Sequence, residues 1–448
     1  MYFGTDGEPF EVSGGYYIRT REYDAAGNVS RECYLDAAGK PMACKEGYAE
    51  VRKTYNDKKQ VIREAYFDRE GLPTKGKEGY ASKEREYDDR GNVILERYCD
   101  AQGEPVLRRE GYAEIHKEYN DRNQAVRESY YGVNGTPVRM QEGYAARERE
   151  YDDHGNVITE RYYDEKDDRT ICRAGYAEVR KEYNGNSQVI REMYYTTDGT
   201  PAVLRDNYSA REREYDAAGN VSAERYLNEN LEPVARKEGY AEVRRTWNEK
   251  KQVTKEEYIG VDGSPILLQE GFAARTRVYD DFGNVSEERY YDENGNLILR
   301  REGYAGVKRR YNELGQIVYE EYLGADGELM MVYGQYAIRE ITYDESGNIR
   351  SERYFNTERK PATLTKGYAG IDRIYNDHNK VFMETYLDEH GNLALIEGIY
   401  SAVEYQYNDA GNVIGHIYYD ARGEQVEYPP RVTQETAPSD KAAEKPAE

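Results

Sequence analysis

The chain has 448 residues and a formal net charge of −23, with 38% apolar and 33% charged residues, and 48 Tyr against 7 Phe and 1 Trp. That charge lacks the basic footprint that non-specific DNA or RNA binding needs, and it disfavours anionic membranes. The aliphatic content is too thin for a thick globular core, but it suits a narrow core walled by tyrosine, whose ring buries area while its hydroxyl finds a polar partner.

From Gly15 to Pro430 a 32-residue repeat recurs thirteen times without insertion or deletion. It reads G-Y-A-x-x-x-x-x-Y-D-x-x-G-N-V-x-x-E-x-Y-Y-D-x-x-G-x-P-V-x-x-x-E. The repeats start at Gly15, Gly47, Gly79, Gly111, Gly143, Gly175, Asn207, Gly239, Gly271, Gly303, Gln335, Gly367 and Ile399, and residues 1–14 match the last fourteen positions of a repeat. Strict recurrence of this kind marks a modular array in which each repeat buries its apolar face only against its neighbours.

Along one repeat, position 9 is always aromatic and position 10 is Asp or Asn. In alternate repeats Gly-Asn follows, as in Gly27-Asn28, Gly91-Asn92 and Gly411-Asn412. This pattern predicts a short hairpin loop, a turn opened by the Asx side chain and closed by Gly at positive φ. Val or Ile opens the next strand at position 15, except at Ala125. Glu holds position 18 from Glu32 to Glu384, with His416 in the last repeat, and Tyr holds position 20 throughout. A second turn signal, as in Asp100–Pro105, closes that strand, and Pro belongs at a strand start or edge. Each repeat therefore reads as strand, tight turn, longer strand, turn, short strand. Helix is disfavoured because no 3.6 period is present. The expected fold is all-β, an elongated β-hairpin solenoid covering 1–430. Residues 431–448, rich in Pro, Ala and charge and free of aromatics, are expected to be a disordered tail.

Positions 18 and 20 share a strand face. Pairs such as Glu64 and Tyr66, Glu192 and Tyr194, and Glu288 and Tyr290 are read as structural, with each Glu paired to a neighbouring Arg or accepting a hydroxyl. The competing reading is a polar-aromatic groove for a repetitive ligand, since stacked rings suit sugar faces or organic cations. Repeats also alternate in type, giving a true period of 64. In odd repeats position 5 carries Arg19, Lys83, Arg147, Arg211, Arg275 and Arg339, then Val403. In even repeats it is β-branched, from Val51 to Ile371. A one-residue shift of the apolar set predicts that the two types bury opposite faces. The basic column, with Tyr16, Tyr80, Tyr144 and Tyr208 at position 2, is the candidate ligand surface, for example for a cell-wall polymer or glycan. The reading preferred over ligand binding is structural, with each Arg ion-paired to a carboxylate of the next strand.

Here the residues resemble known families. Tyr-Asp-x-x-Gly-Asn at Tyr23–Asn28, Tyr151–Asn156 and Tyr279–Asn284 resembles the YD repeat of Rhs and teneurin-type proteins. Tyr290–Gly295 is similar in style to cell-wall-binding and choline-binding hairpin repeats of Gram-positive surface proteins. The resemblance implies a bacterial extracellular array and names no ligand. The repeats here are longer and ungapped, and tryptophan is nearly absent.

Cys44 and Cys172 share a repeat position four repeats apart, while Cys33 and Cys99 occupy two others, so all four read as incidental thiols. No apolar run approaches the roughly 18 residues of a membrane span. The chain has no G-x-S-x-G, P-loop, G-x-G-x-x-G, H-E-x-x-H or C-x-x-C, and its five histidines share no position. The Asp292–Asn296 turn has its glycine misplaced for an EF-hand. No catalytic residues, metal or cofactor are expected. Met1 falls in mid-repeat and no signal peptide is visible, so the expectation is a fragment of a bacterial surface or secreted protein. The expected role is a non-catalytic binding or spacer module; the alternative is a shell segment of a larger enzyme or toxin. At ~4.8 Å per strand and two or three strands per repeat, the array should span on the order of 130–190 Å. Small-angle scattering checks this, and the radius of a compact globule would refute it.

Overall fold

The structure, a computed structural model, describes residues 2–3 and 9–427. The expected tail at 431–448 lies outside the described residues. These contain 27 strands and no helix. They divide into two compact units at Val243/Arg244, inside the strand Glu242–Trp247. Within each unit the architecture is the same all-β hairpin array. Positions 4–9 form one strand, as in Glu178–Tyr183, and positions 15–21 form its antiparallel partner, as in Val189–Tyr195. The partner strand then pairs with the first strand of the next repeat, as Glu192 with Arg211.

The hairpin turn forms by the expected chemistry. Asp216 Oδ1 accepts the backbone N–H of Ala218 and Asn220, each at 2.9 Å, and Gly219 sits at φ 82°. Asn220 Nδ2 closes the loop on Asp216 Oδ2 at 2.9 Å. In even repeats the roles reverse: Asn184 Nδ2 donates to Gln188 Oε1 at 2.9 Å. The longer Gln then has an amide to spare, and Gln188 Nε2 donates to the Gly219 carbonyl of the next turn at 3.2 Å. Gln252 and Gln316 do the same to Gly283 and Gly347. Alternation in turn chemistry thus links neighbouring hairpin tips.

Position 9 owes its aromatic ring to a bulge. Tyr183 opposes Val189 and Glu182 opposes Arg191, so Ile190 is the extra residue of a β-bulge. The carbonyl at the bulge accepts from the next repeat: Tyr215 Oη donates to Val189 O at 2.7 Å. Equivalent bonds run from Tyr55 to Val29, Tyr183 to Val157 and Tyr375 to Ile349.

Two expectations are corrected. The third short strand is a single bridge, as between Cys99 and Pro105, apart from Gln425–Val426. Arg169, Leu297, Leu329 and Leu393 bridge in the same way where proline is absent; beyond the bridge the Val106 N–H donates to Tyr98 O at 2.9 Å, and the Arg108 N–H already turns to Tyr112 O of the next repeat at 2.8 Å. Nor do the two repeat types bury opposite faces. Both pair in one register, Glu32 with Val51 and Glu64 with Lys83, so position 5 lies on the same face throughout. What alternates is the charge: odd repeats carry it at position 5 and small or apolar residues such as Ala146 at position 4, whereas even repeats place Val179 at position 5 and Glu178 at position 4.

Replacing Tyr215 with Phe removes only the hydroxyl that meets the bulge carbonyl. The expected loss is about 0.5–1.5 kcal/mol. Equilibrium denaturation checks it, and an unchanged midpoint would show that water serves the carbonyl equally well.

Candidate functional site

The face shared by positions 2, 5, 7, 18 and 20 carries two ladders. The first is aromatic. Rings from positions 2 and 20 alternate without a break in each compact unit: Tyr80–Tyr98 at 4.8 Å, Tyr98–Tyr112 at 6.0 Å, Tyr112–Tyr130 at 5.0 Å, and in the second unit Phe272–Tyr290 at 4.9 Å and Tyr290–Tyr304 at 5.9 Å. Tilted and edge-on pairs at such distances add to the area each ring buries. Tyr98 and Tyr290 are 1% exposed, so this ladder is the core.

The second ladder is charged and runs beside the rings. Glu192 accepts from Tyr194 Oη at 3.3 Å and is held by Arg211 of the next repeat. Arg211 also lies 3.7 Å from Glu224, which Arg213 holds at 2.9 Å. The same rung recurs as Arg147 on Glu128 and Glu160, with Arg149 on Glu160 at 2.7 Å. It recurs again as Arg275 on Glu256 at 2.5 Å and on Glu288 at 3.7 Å. Arg339 spans Glu320 at 2.7 Å and Glu352 at 3.2 Å. Burial pushes the Glu192 carboxyl up, but the Arg211 hydrogen bond and charge outweigh it and hold it below the usual carboxylate range. Burial lowers the Arg147 guanidinium, and Tyr130, Tyr144 and Glu128 more than restore it. Lys83, shorter than Arg, sits between Glu64 and Glu96, and burial lowers its ammonium.

The candidate ligand residues are therefore placed together, inside these ladders. Arg19 lies 3.9 Å from Glu32, and Arg147, Arg211, Arg275 and Arg339 are ion-paired. Tyr16, Tyr80, Tyr144 and Tyr208 stack against Tyr34, Tyr98, Tyr162 and Tyr226 at 4.7–5.0 Å. Tyr80 and Tyr144 are buried. Within the glutamate–tyrosine pairs, Tyr66 Oη donates to Glu64 at 3.0 Å and Tyr290 Oη to Glu288 at 2.7 Å. Position 7 was passed over in the sequence, yet it supplies Arg85, Arg149, Arg213, Arg277, Arg309 and Arg373 to the carboxylate of their own hairpin. The available signal was a position that is basic in every repeat except at Ile341 and Tyr405. The four cysteines are free thiols.

The opposite face carries grooves where an even repeat meets an odd one. Tyr131, Pro137, Ala146 and Asp164 line a cavity of about 520 Å³. Tyr195, Pro201, Ala210 and Glu229 line one of about 110 Å³. In the second unit Pro265, Ala274, Tyr291 and Asp292 line one of about 360 Å³. The alanine at position 4 forms each floor. At the alternate junctions Glu50, Glu114, Glu178 and Glu242 fill that position, and Glu242 is tied down by Arg225 at 2.5 Å, whereas Gly306 and Gly370 stand there in the last two.

Because the folded state depresses the carboxyls of Glu128, Glu160, Glu192, Glu224, Glu256, Glu288 and Glu320, their contribution is complete above the ordinary Glu range. It is lost as pH falls through that range and below it. Melting temperature should fall from about pH 4.5 downward and faster than for a chain with fewer rungs; a flat profile to pH 3 would refute this. At neutral pH Glu192→Ala leaves Arg211 and Tyr194 without their acceptor, an expected cost of about 1–3 kcal/mol by denaturant titration.

No protein-family model and no curated protein matches the chain. Among solved structures, a TcdB2-TccC3-TEV crystal structure aligns at 12% identity over 91% of this chain and 22% of that chain, with a TM-score of 0.32. A mutant Photorhabdus luminescens Tc holotoxin pore aligns at 14% identity over 90% of this chain and 23% of that chain, with a TM-score of 0.30. A porin-like protein from Bacteroides uniformis aligns at 10% identity over 75% of this chain and 93% of its own, with a TM-score of 0.17. The chain spans about a fifth of the toxin chains.

Proposed function

We propose that the array is a non-catalytic module of a larger bacterial surface or secreted protein, and that it binds a repetitive neutral glycan in the grooves of the face opposite the tyrosine ladder. The observation that carries this reading is the recurrence of one groove at 64-residue intervals, at Ala146, Ala210 and Ala274. Each sets a tyrosine ring and a proline over a small floor, with carboxylate or amide groups at the rim. A sugar presents an apolar face to the ring and hydroxyls to the rim. The guanidinium column on the other face is already neutralised by the position 18 carboxylates, so a polyanion gains little there. The net charge of −23 repels one further.

A second reading, a shell segment of a larger toxin or enzyme, rests on the Tyr-Asp-x-x-Gly-Asn hairpins. An upstream or downstream active domain in the parent reading frame would favour it.

Pull-down on neutral capsular glycan, peptidoglycan and teichoic acid distinguishes the ligands. Linked weak sites give avidity of about 10²–10⁴. Retention on the neutral polymer should fall stepwise as 64-residue pairs are removed. Salt-sensitive retention on teichoic acid alone would return the ligand surface to Arg147, Arg211, Arg275 and Arg339.

A further inference from the structure

The repeat defines a place for one cationic head per pair of repeats, an arginine in all but Lys83, and at residue 403 the chain does not fill it. In the pairs ending at the repeats that start at 143, 207, 271 and 335, position 5 is Arg. Its head lies against the position 18 carboxylate of the preceding repeat and beside the tyrosines of the ladder. Arg147 meets Glu128 with Tyr130 and Tyr144 alongside, and Arg339 meets Glu320 with Tyr322 alongside. In the last pair the register is unchanged, with Glu384 opposite residue 403, as Glu128 is opposite Arg147. Residue 403 is Val, buried and too short to reach the carboxylate.

The carboxylate and the two tyrosines that flank an arginine head elsewhere here line an open cavity of about 770 Å³. Its walls are Tyr386 and Tyr400, which correspond to Tyr130 and Tyr144, together with Tyr368 and Ile396. Its polar groups are Glu384, Arg373, Lys366 and Glu397. Arg373 does not take the place of the missing head, because it is already shared between Glu352 at 2.5 Å and Glu384 at 2.9 Å. Arg309 plays the same part beside Glu320 at 3.1 Å, and there the slot still takes Arg339. Glu384 Oε2 accepts from Tyr405 Oη at 2.8 Å and Tyr386 Oη at 3.2 Å. The odd-repeat carboxylate that other heads touch is replaced by His416, whose ring packs on Tyr405 at 5.0 Å.

We propose that this cavity is a binding site for a guanidinium-bearing ligand, which lays its head on Glu384 beside Tyr386 and Tyr400. The recognition is the one the chain already uses on itself: a carboxylate that takes a charge-assisted bond, and ring faces that attract a cation. The site is independent of the glycan grooves, which lie on the opposite face.

The test titrates the full chain with L-arginine amide and with L-citrulline amide, which has nearly the same shape without the charge, by calorimetry and by chemical-shift perturbation. Arginine amide should bind and citrulline amide should bind at least tenfold more weakly. Glu384→Gln should weaken arginine amide by roughly tenfold, the loss of one charged hydrogen bond. Val403→Arg should place the chain's own guanidinium in the slot, abolish binding and raise the melting temperature, which shows that it folds. Equal binding of the two amides, or undiminished binding to Val403→Arg, would overturn the proposal, as would no binding of arginine amide by a chain whose tyrosine core is intact by near-ultraviolet circular dichroism. None of these results bears on retention by glycan.

Discussion

One interaction organises this protein: a glutamate at position 18 that faces into the sheet and must be neutralised there. A carboxylate half-removed from water is costly unless paired and hydrogen-bonded. Where the pattern is complete, as at Glu320, it is met from three sides. The tyrosine two residues on donates its hydroxyl, the arginine of its own hairpin closes from one side, and in the even repeats the arginine of the next repeat closes from the other. Glu320 shows all three, with Tyr322, Arg309 and Arg339. Because two of the partners come from different strands, the rung joins hairpins as well as sealing them.

The energetic meaning of such rungs is mostly specificity. A buried ion pair gains little over an apolar pair of the same shape, whereas half of one is expensive. A hairpin that slipped by one residue would carry Glu192 to the other face and strand Arg211. The tyrosine ladder supplies the apolar burial that the thin aliphatic content cannot, and the carboxylates receive the hydroxyls it brings inside. The opposite face works by the same rule with the charges displaced by one residue: Glu178 is 2% exposed and is held by Arg161 at 3.0 Å and Arg180 at 2.6 Å.

Alternation follows from this economy of charge. One arginine at position 5 serves two carboxylates, as Arg339 serves Glu320 and Glu352, so it is needed only in every second repeat. Between them, Val and Ile pack on the ladder. On the other face the same alternation leaves alanine floors where glutamate is absent, and those floors make the recurring grooves. The features of this array that could hold a ligand are thus gaps in a pattern of paired charge, either periodic, as at Ala210 and Ala274, or singular, as at Val403.

The repeat length, the hairpins and their turns were legible in the sequence, because Asp-x-x-Gly-Asn acts within five residues and a glycine at positive φ needs no distant partner. That Glu64 and Tyr66 share a face was legible for the same reason, since residues two apart on a strand point the same way. The role of position 7, the link from Gln188 to Gly219 and the bond from Tyr215 to Val189 were not. Each joins residues between 11 and 31 apart, across strands or repeats. The two repeat types looked as if they buried opposite faces because position 5 changes from Arg to Val. Only the shared register, Glu32 with Val51 and Glu64 with Lys83, decided that both side chains enter the same ladder. By itself the sequence determined what each repeat contains. The tertiary structure decided which repeat each side chain serves, because a charge is satisfied by whatever the neighbouring strand places opposite it.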